Sequence, residues 1–428
     1  MSIRQLIFAA GLAVALPVMA QNAAATAPLT PATSSLSLAQ ALQAARNNLD
    51  ISLARRALAA AQADVTAADH APAPVLSAKA SQMDLQNGIG GGNILTQKRI
   101  DKSVGLDWTW ERGDKRVLRT RAAQRNAAAA QSDVEDALVL QQLAASAAFF
   151  DLLSAQERIE QVSVLERSAQ QIAATAARRV KAGDLAAQDA ARTDIEAQRA
   201  STDLRTAQLD RQRAALTLAQ LTGFTGPGVL QALPDWPTRQ AMDALPGNAA
   251  LYPAIEARAD VIAARQRVEA AQAALDVASA QKKADITVGS SLDHYPGTST
   301  RLLELRLQMP LYGLFGGYNF QGEIARALAQ LDAAQDLLEK TRREASADLQ
   351  RLQQERESAA ARALSYENTI LPRARQVAEM AELAYNKGAL SLTDLIDARR
   401  TLRSILLEEL AARTDYAKAA QAWQLRQP

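Results

Sequence analysis

Long stretches of this chain carry apolar residues on a helical period and contain no residue that would end a helix. Neither Gly nor Pro occurs in residues 114–182 or 184–222. In the first stretch Val162, Leu165 and Ala169 recur at intervals of three and four, which places them on one helix face. A helix over 114–182 would be about 100 Å long, far beyond the helices of ordinary globular domains. The sequence therefore predicts long helices that pair with one another.

Other segments alternate between apolar and polar residues and predict strands. The clearest examples are residues 104–110 and 303–309, where every second residue is Val, Leu, Trp or Met. The expected strands lie at about 75–84, 101–111, 285–293 and 301–311. Each has about ten residues, the length of a strand that crosses a membrane. Four strands cannot close a barrel, and an open edge is costly in lipid, so copies of the chain would have to pool strands. Three copies would supply twelve strands.

The two halves of the chain have the same layout. An offset of 205 places Gly388 on Gly183 and Phe315 on Trp110, and an offset of 210 places Asp260 on Asp50. A repeat of this length indicates two copies of one supersecondary unit. The expected units are residues 36–222 and 250–428, joined by a proline-containing linker at 223–249.

The N-terminus has the features of an export signal. Arg4 precedes an apolar stretch at 6–16, and small residues near Ala20 resemble a cleavage site. The sequence predicts a signal peptide over 1–20, a mature chain that begins at Gln21, and a flexible leader over 21–35. No later run of about 18 consecutive apolar residues predicts a transmembrane helix. The chain has no Cys, which excludes disulfides and a lipid-modified N-terminal cysteine.

Charge and motif content argue against several classes of function. The chain has 48 Lys and Arg against 46 Asp and Glu, which gives no reason to expect a nucleic-acid partner. No metalloprotease, nucleophile-elbow or nucleotide-binding motif occurs, so no enzyme activity and no cofactor are expected. His70 and His294 stand alone, whereas a metal site needs several convergent ligands. No metal site is therefore predicted.

Three local motifs carry a resemblance to a known family. The stretch 111–116, Glu-Arg-Gly-Asp-Lys-Arg, resembles an E-x-G-G-K-R motif, with Asp114 in place of the second glycine. Residues 310–316 are similar to a strand-to-helix segment of the second repeat, and residues 385–398 to a helix-hairpin tip. On these motifs the chain resembles the TolC-like outer-membrane efflux factors, and most of all their cobalt–zinc–cadmium resistance branch.

The resemblance implies an architecture and a set of partners. It implies a homotrimer with a twelve-stranded barrel in the outer-membrane lipid and a twelve-helix tunnel through the periplasm. The hairpin tips would contact a periplasmic membrane-fusion adaptor, and an inner-membrane pump of the resistance-nodulation-division type would drive transport. The tip residues in question are Gly183, Leu185, Gly388 and Leu390.

Two further sets of residues are candidates for specific roles. Aromatic side chains at the ends of the strands are expected to form interface girdles around the barrel, as in other outer-membrane barrels: Trp108, Trp110, Tyr312 and Phe315. The narrow periplasmic end is expected to carry acids and one tyrosine: Asp394, Asp397, Asp189 and Tyr385. Threefold symmetry would turn each acid into a ring that favours cations. The alternative is that the acids are solvated side chains near helix N-termini, where the helix dipole favours them.

Three functions remain open at this point. The first is an outer-membrane exit duct for divalent metal cations, and the second is the same duct for drugs or secreted polypeptides. The third is a structural periplasmic coiled-coil protein. The four alternating segments argue against the third, because a coiled coil has no use for them.

Overall fold

The structure, a computed structural model, describes residues 34–83, 86, 90–93, 99–226, 228–237, 251–296, 299–312 and 317–426. Its first half consists of β1 (Ser34–Leu36), α1 (Leu38–Ala45), α2 (Leu49–Ala68), β2 (Val75–Ser81), β3 (Asp101–Trp110), α3 (Lys115–Lys181) and α4 (Ala187–Thr222). After β4 (Leu230–Ala232) the second half consists of α5 (Leu251–Ala257), α6 (Ala259–Ala280), β5 (Ile286–Tyr295), β6 (Ser299–Gln308), α7 (Gln321–Ser365), α8 (Leu371–Asn386) and α9 (Leu392–Arg426). The chain is mainly helical with a small β portion. The expected signal peptide and most of the leader lie outside the described residues.

The repeat is present, but it is not ungapped. α6 begins 210 positions after α2, and α9 begins 205 positions after α4. In contrast, β3 ends at Trp110 and β6 ends at Gln308, only 198 positions later. The expected equivalence of Trp110 and Phe315 is therefore wrong. The second repeat has a longer connection between its last strand and its long helix.

Two left-handed glycines turn the helical hairpins. Gly183 follows α3 with φ of +83°, and Gly388 follows α8 with φ of +74°. An added Cβ would meet nothing within 4 Å at either position, so it is the backbone conformation and not crowding that favours glycine. Each glycine connects two long helices, α3 with α4 and α8 with α9.

A π-helical turn interrupts the helix between the sheet and the second tip. It spans Tyr366–Ile370 and is followed by Pro372 in the first turn of α8. Proline has no N–H to donate and its ring disturbs the preceding turn, so a wider turn accommodates it. The Tyr366 hydroxyl donates to Glu408 Oε2 at 3.0 Å and ties this turn to α9.

A parallel pair of short strands joins the segment before α1 to the segment after α4. β1 pairs with β4 in the register Ser34 to Leu230, which places the end of the expected leader and part of the expected linker in one sheet. Gln156 donates to Ala232 O at 2.9 Å and accepts from Ala232 N at 2.8 Å. These two hydrogen bonds attach the connection between the repeats to α3.

The apolar core follows α3. Phe149, Phe150 and Leu152 of α3 are at most 1% exposed and pack with Leu218 and with β4. Among the described helices, α3 alone contains an 18-residue window that is apolar enough by composition to cross a membrane. Several buried apolar side chains of this core lie on α3, so they account for part of the apolar composition of that helix.

Candidate functional site

The larger sheet has one apolar face, and that face is exposed. Its strand order is β2-β3-β5-β6, all antiparallel, so β2 and β6 are edge strands. Val104 pairs with Leu292, Leu292 with Leu303, and Val288 with Leu307. These side chains are between 50% and 73% exposed in the single chain. An apolar patch that is continuous across strands marks a surface that another apolar phase covers.

The opposite face of the sheet is polar and carries an ion pair. Arg306 Nη2 lies 2.5 Å from Asp107 Oδ1, although β5 runs between their strands. The pair forms over Gly289, where an added Cβ would lie 2.1 Å from Asp107 Oδ1. Gly289 therefore provides the space in which the two charges meet. The alternation of a polar and an apolar face along one strand is the pattern of a membrane barrel.

The basic motif at 111–116 lies between β3 and α3. Together with Arg119 and the carboxylates of Asp69 and Asp285 it forms a cluster of ion pairs that we call the collar. Lys115 is buried, and its Nζ lies 2.8 Å from Asp285 Oδ1, in the connection between α6 and β5. The Arg112 backbone N–H donates to the same oxygen at 3.0 Å. Asp114, which occupies the place of a family glycine, has φ of +56°. This conformation favours glycine and is tolerated by Asp, which explains why the exchange preserves the turn.

Further ion pairs extend the collar to the neighbouring connections. Arg116 Nε lies 2.8 Å from Asp69 Oδ1, in the connection between α2 and β2. That hydrogen bond from Arg116 lowers the pKa of the Asp69 carboxyl. Arg119 Nη1 lies 2.6 Å from Glu111 Oε1. The collar therefore links three connections between helices and strands: α2 to β2, β3 to α3, and α6 to β5. The motif at 111–116 has a structural role that its sequence does not reveal.

At the hairpin ends, arginines of the first hairpin bind the second. Arg179 Nη1 donates to the Tyr385 hydroxyl at 3.1 Å, and Arg192 Nη1 donates to Thr393 Oγ1 at 3.3 Å. Farther from the tip, Arg400 of α9 pairs with Glu196 of α4. The hydrogen bond from Arg400 lowers the pKa of the Glu196 carboxyl, so this link stays charged in mildly acidic solution. The sequence analysis names Tyr385 as a candidate, whereas nothing in the sequence singles out these arginines.

The candidate acids lie on two neighbouring helix starts. Asp394 is exposed; its Oδ2 accepts from Ser391 Oγ at 2.7 Å, and its backbone N–H donates to Ser391 Oγ at 3.2 Å. Asp397 is exposed and lies 3.5 Å from Arg400 Nη1. Asp189 is half-buried in the first turn of α4, and Arg192 of that helix contacts Thr393. Asp394 thus combines a role at the helix start with an accessible charge, and Arg400 partly compensates the charge of Asp397.

The remaining candidate residues lie where their elements end. Gly183 and Gly388 are exposed at the hairpin turns, with Leu185 and Leu390 half-buried beside them. Trp108 and Trp110 are 58% and 65% exposed on the apolar face, and Tyr312 is 42% exposed beyond β6. Phe315 lies outside the described residues.

Within the part of the chain that the structure describes, no group of three or more His, Asp or Glu side chains is arranged to hold a metal ion. His70 is exposed after α2, and His294 pairs with Lys102 across β5 and β3.

Comparison with known proteins gives a family match for the second half of the chain. Residues 250–425 match the family model described as outer membrane efflux protein. The cobalt-zinc-cadmium resistance protein CzcC of Cupriavidus metallidurans is 27% identical over 297 residues, 68% of each chain. The second half of the chain is therefore similar to the outer membrane efflux proteins. The family match covers the second repeat of the chain, and the first repeat carries the same order of long elements.

Solved structures of outer-membrane channels share the fold of this chain. The chain is similar to CusC with a TM-score of 0.77, 17% identity and 91% of both chains covered. It is similar to VceC of Vibrio cholerae with a TM-score of 0.71, 18% identity, and 91% and 96% of the two chains covered. For MtrE of Neisseria gonorrhoeae the TM-score is 0.72 at 16% identity, with 91% and 88% covered.

Proposed function

We propose that this chain is an outer-membrane efflux protein and forms the passive exit duct of a tripartite export system. Three copies would combine their four-stranded sheets into a twelve-stranded barrel in the outer membrane. Their hairpins would form a twelve-helix tunnel in the periplasm, with the tips toward a membrane-fusion adaptor and an inner-membrane pump of the resistance-nodulation-division type.

The observation that carries this proposal is the exposed apolar face of a sheet with two unpaired edges. In lipid the backbone groups of an open edge have no water to bind, so an open four-stranded sheet is unstable there. Pairing β6 of one copy with β2 of the next removes every edge. The polar face with the Asp107–Arg306 pair then lines the lumen, and the apolar face contacts lipid.

Divalent metal cations are the substrate class we propose. CzcC is named for resistance to cobalt, zinc and cadmium, and it aligns with two thirds of this chain. The exposed carboxylates of Asp394 and Asp397, with Asp189 beside them, would concentrate cations at the periplasmic mouth. Tyr385, held by Arg179, would line the same constriction. Drugs or secreted polypeptides remain the alternative cargo, because a duct receives what its pump selects.

Metal retention in cells separates these cargoes. Cells that lack the chain are loaded with cobalt, zinc or cadmium, and the metal that remains is measured by mass spectrometry. We expect several-fold higher retention without the chain, restored by wild type, and unchanged drug susceptibility. Increased drug susceptibility with unchanged metal retention would favour the alternative cargo and overturn the metal assignment.

A further inference from the structure

Where β3 ends, next to the collar, the apolar face of the sheet carries both aromatic side chains and cations. Trp108 and Trp110 are both more than half exposed there. Arg112 follows two residues later, and its Nη1 lies 3.8 Å from Met309 Sδ. Met309 continues the alternation of Leu303, Leu305 and Leu307, which are exposed on the apolar face. The Arg112 guanidinium therefore lies at the border of that face.

Arg112 differs from the other cations of the collar. Lys115, Arg116 and Arg119 each pair with a carboxylate. Among the described residues, the Arg112 guanidinium has no carboxylate within ion-pair distance, and its side chain is exposed. The backbone N–H of Arg112 anchors the turn on Asp285, while its charge faces outward.

A second cation is held against the same turn. Gly113 has φ of +80°, and an added Cβ there would lie 2.6 Å from Cδ of Lys283. The absent side chain thus lets the aliphatic part of Lys283 lie on the backbone next to Arg112. Lys283 and its neighbour Lys282 are exposed, and no described carboxylate pairs with either. Asp114 is the exposed acid of this turn, so the local charge is positive overall.

We propose that Arg112 and Lys283, at the border of the apolar face, bind the headgroups of anionic phospholipids in the periplasmic leaflet of the outer membrane. Arg112 and Lys283 contact the phosphate, and Trp108 and Trp110 lie at the level of the headgroups. Aromatic rings favour this interface, and cations near a membrane surface attract anionic lipid. The inference rests on the proposed function, because it requires the apolar face to be in the membrane. It adds a lipid preference that a purely apolar belt would not have.

Quenching of tryptophan fluorescence by brominated lipids measures this preference. Two of the four tryptophans are Trp108 and Trp110; Trp423 is buried, and Trp236 packs on Phe150. The trimer is placed in nanodiscs of phosphatidylcholine that contain a minor fraction of brominated phosphatidylglycerol or brominated phosphatidylcholine. We expect stronger quenching by the brominated phosphatidylglycerol, and a smaller difference at high salt, where charges are screened.

The variant R112Q/K283Q tests the two cations. Each cation near the surface contributes about fivefold in affinity for anionic lipid, so the double variant is expected to lose most of the preference. The control R205Q/R211Q removes two charges from α4 and is expected to behave like wild type. Equal quenching by both lipids in wild type, or an unchanged preference in R112Q/K283Q, would overturn the lipid site. Absence of quenching by any brominated lipid would instead show that the face is not in the membrane, and would overturn the proposed function as well.

Discussion

Replacing Asp394 with Asn weakens the cation preference of the reconstituted channel by roughly fivefold, because a focused ring of charge at a narrow mouth raises the local cation concentration. Asn keeps an acceptor for Ser391 Oγ, so α9 still begins at the same residue. The effect of Asp397→Asn is expected to be smaller, because Arg400 already lies 3.5 Å from that carboxylate. Reversal potentials in a salt gradient measure both effects, and block by divalent cations should weaken in parallel.

The matched control for the acidic tip is the double variant D332N/D336N. Both residues are exposed acids on α7, one helical turn apart. The variant D332N/D336N removes two negative charges, as D394N/D397N does, and is expected to leave the cation selectivity and the block by divalent cations unchanged. If D394N/D397N and the control both match wild type, Asp394 and Asp397 are solvated acids of a helix start and the constriction lies elsewhere.

Replacing Lys115 with Met destabilises the protein by about 2–3 kcal/mol, because it leaves the carboxylate of Asp285 without its cation in a partly buried site. The Lys115 side chain is 6% exposed and that of Asp285 is 31% exposed, so water compensates only part of the loss. The expected result is a fall of about 5 °C in the melting temperature of the helical circular-dichroism signal in detergent.

Lys340→Met is the control for the collar. Lys340 lies 3.7 Å from Glu344 on the surface of α7, and both side chains are about two thirds exposed. Exposed pairs of this kind contribute less than about 1 kcal/mol, so its melting temperature should stay close to that of wild type. Equal stability of the Lys115→Met and Lys340→Met variants would contradict a structural role for the collar.

The long elements could be predicted because their signals are local. The absence of Gly and Pro over 114–182 indicates long helical structure, and the structure shows that it is one helix, α3, over Lys115–Lys181. Period-two alternation indicates strands, although their ends differ by up to three residues from those expected. For example, β2 ends at Ser81, before Gln82 with φ of +57°. A single residue in a left-handed conformation gives no signal in hydrophobic patterning.

The contacts of the site could not be predicted, because they join residues that are far apart in sequence. Lys115 and Asp285 belong to different repeats, as do Arg179 and Tyr385. Nothing in their immediate sequence distinguishes a paired arginine from a solvated one. The strands β1 and β4 were missed for another reason: each has three residues, too few for any periodicity. Motif 111–116 is one of three that carry the family resemblance, whereas its ion pairs with neighbouring connections are visible only in the packing.

The most direct test of a trimeric outer-membrane duct is the current through planar bilayers after addition of the purified mature protein in detergent. We expect discrete steps of conductance, carried by a species with the mass of three chains and selective for cations. A protein that stays monomeric and water-soluble without detergent, and that never raises the conductance of the bilayer, would contradict a trimeric outer-membrane duct.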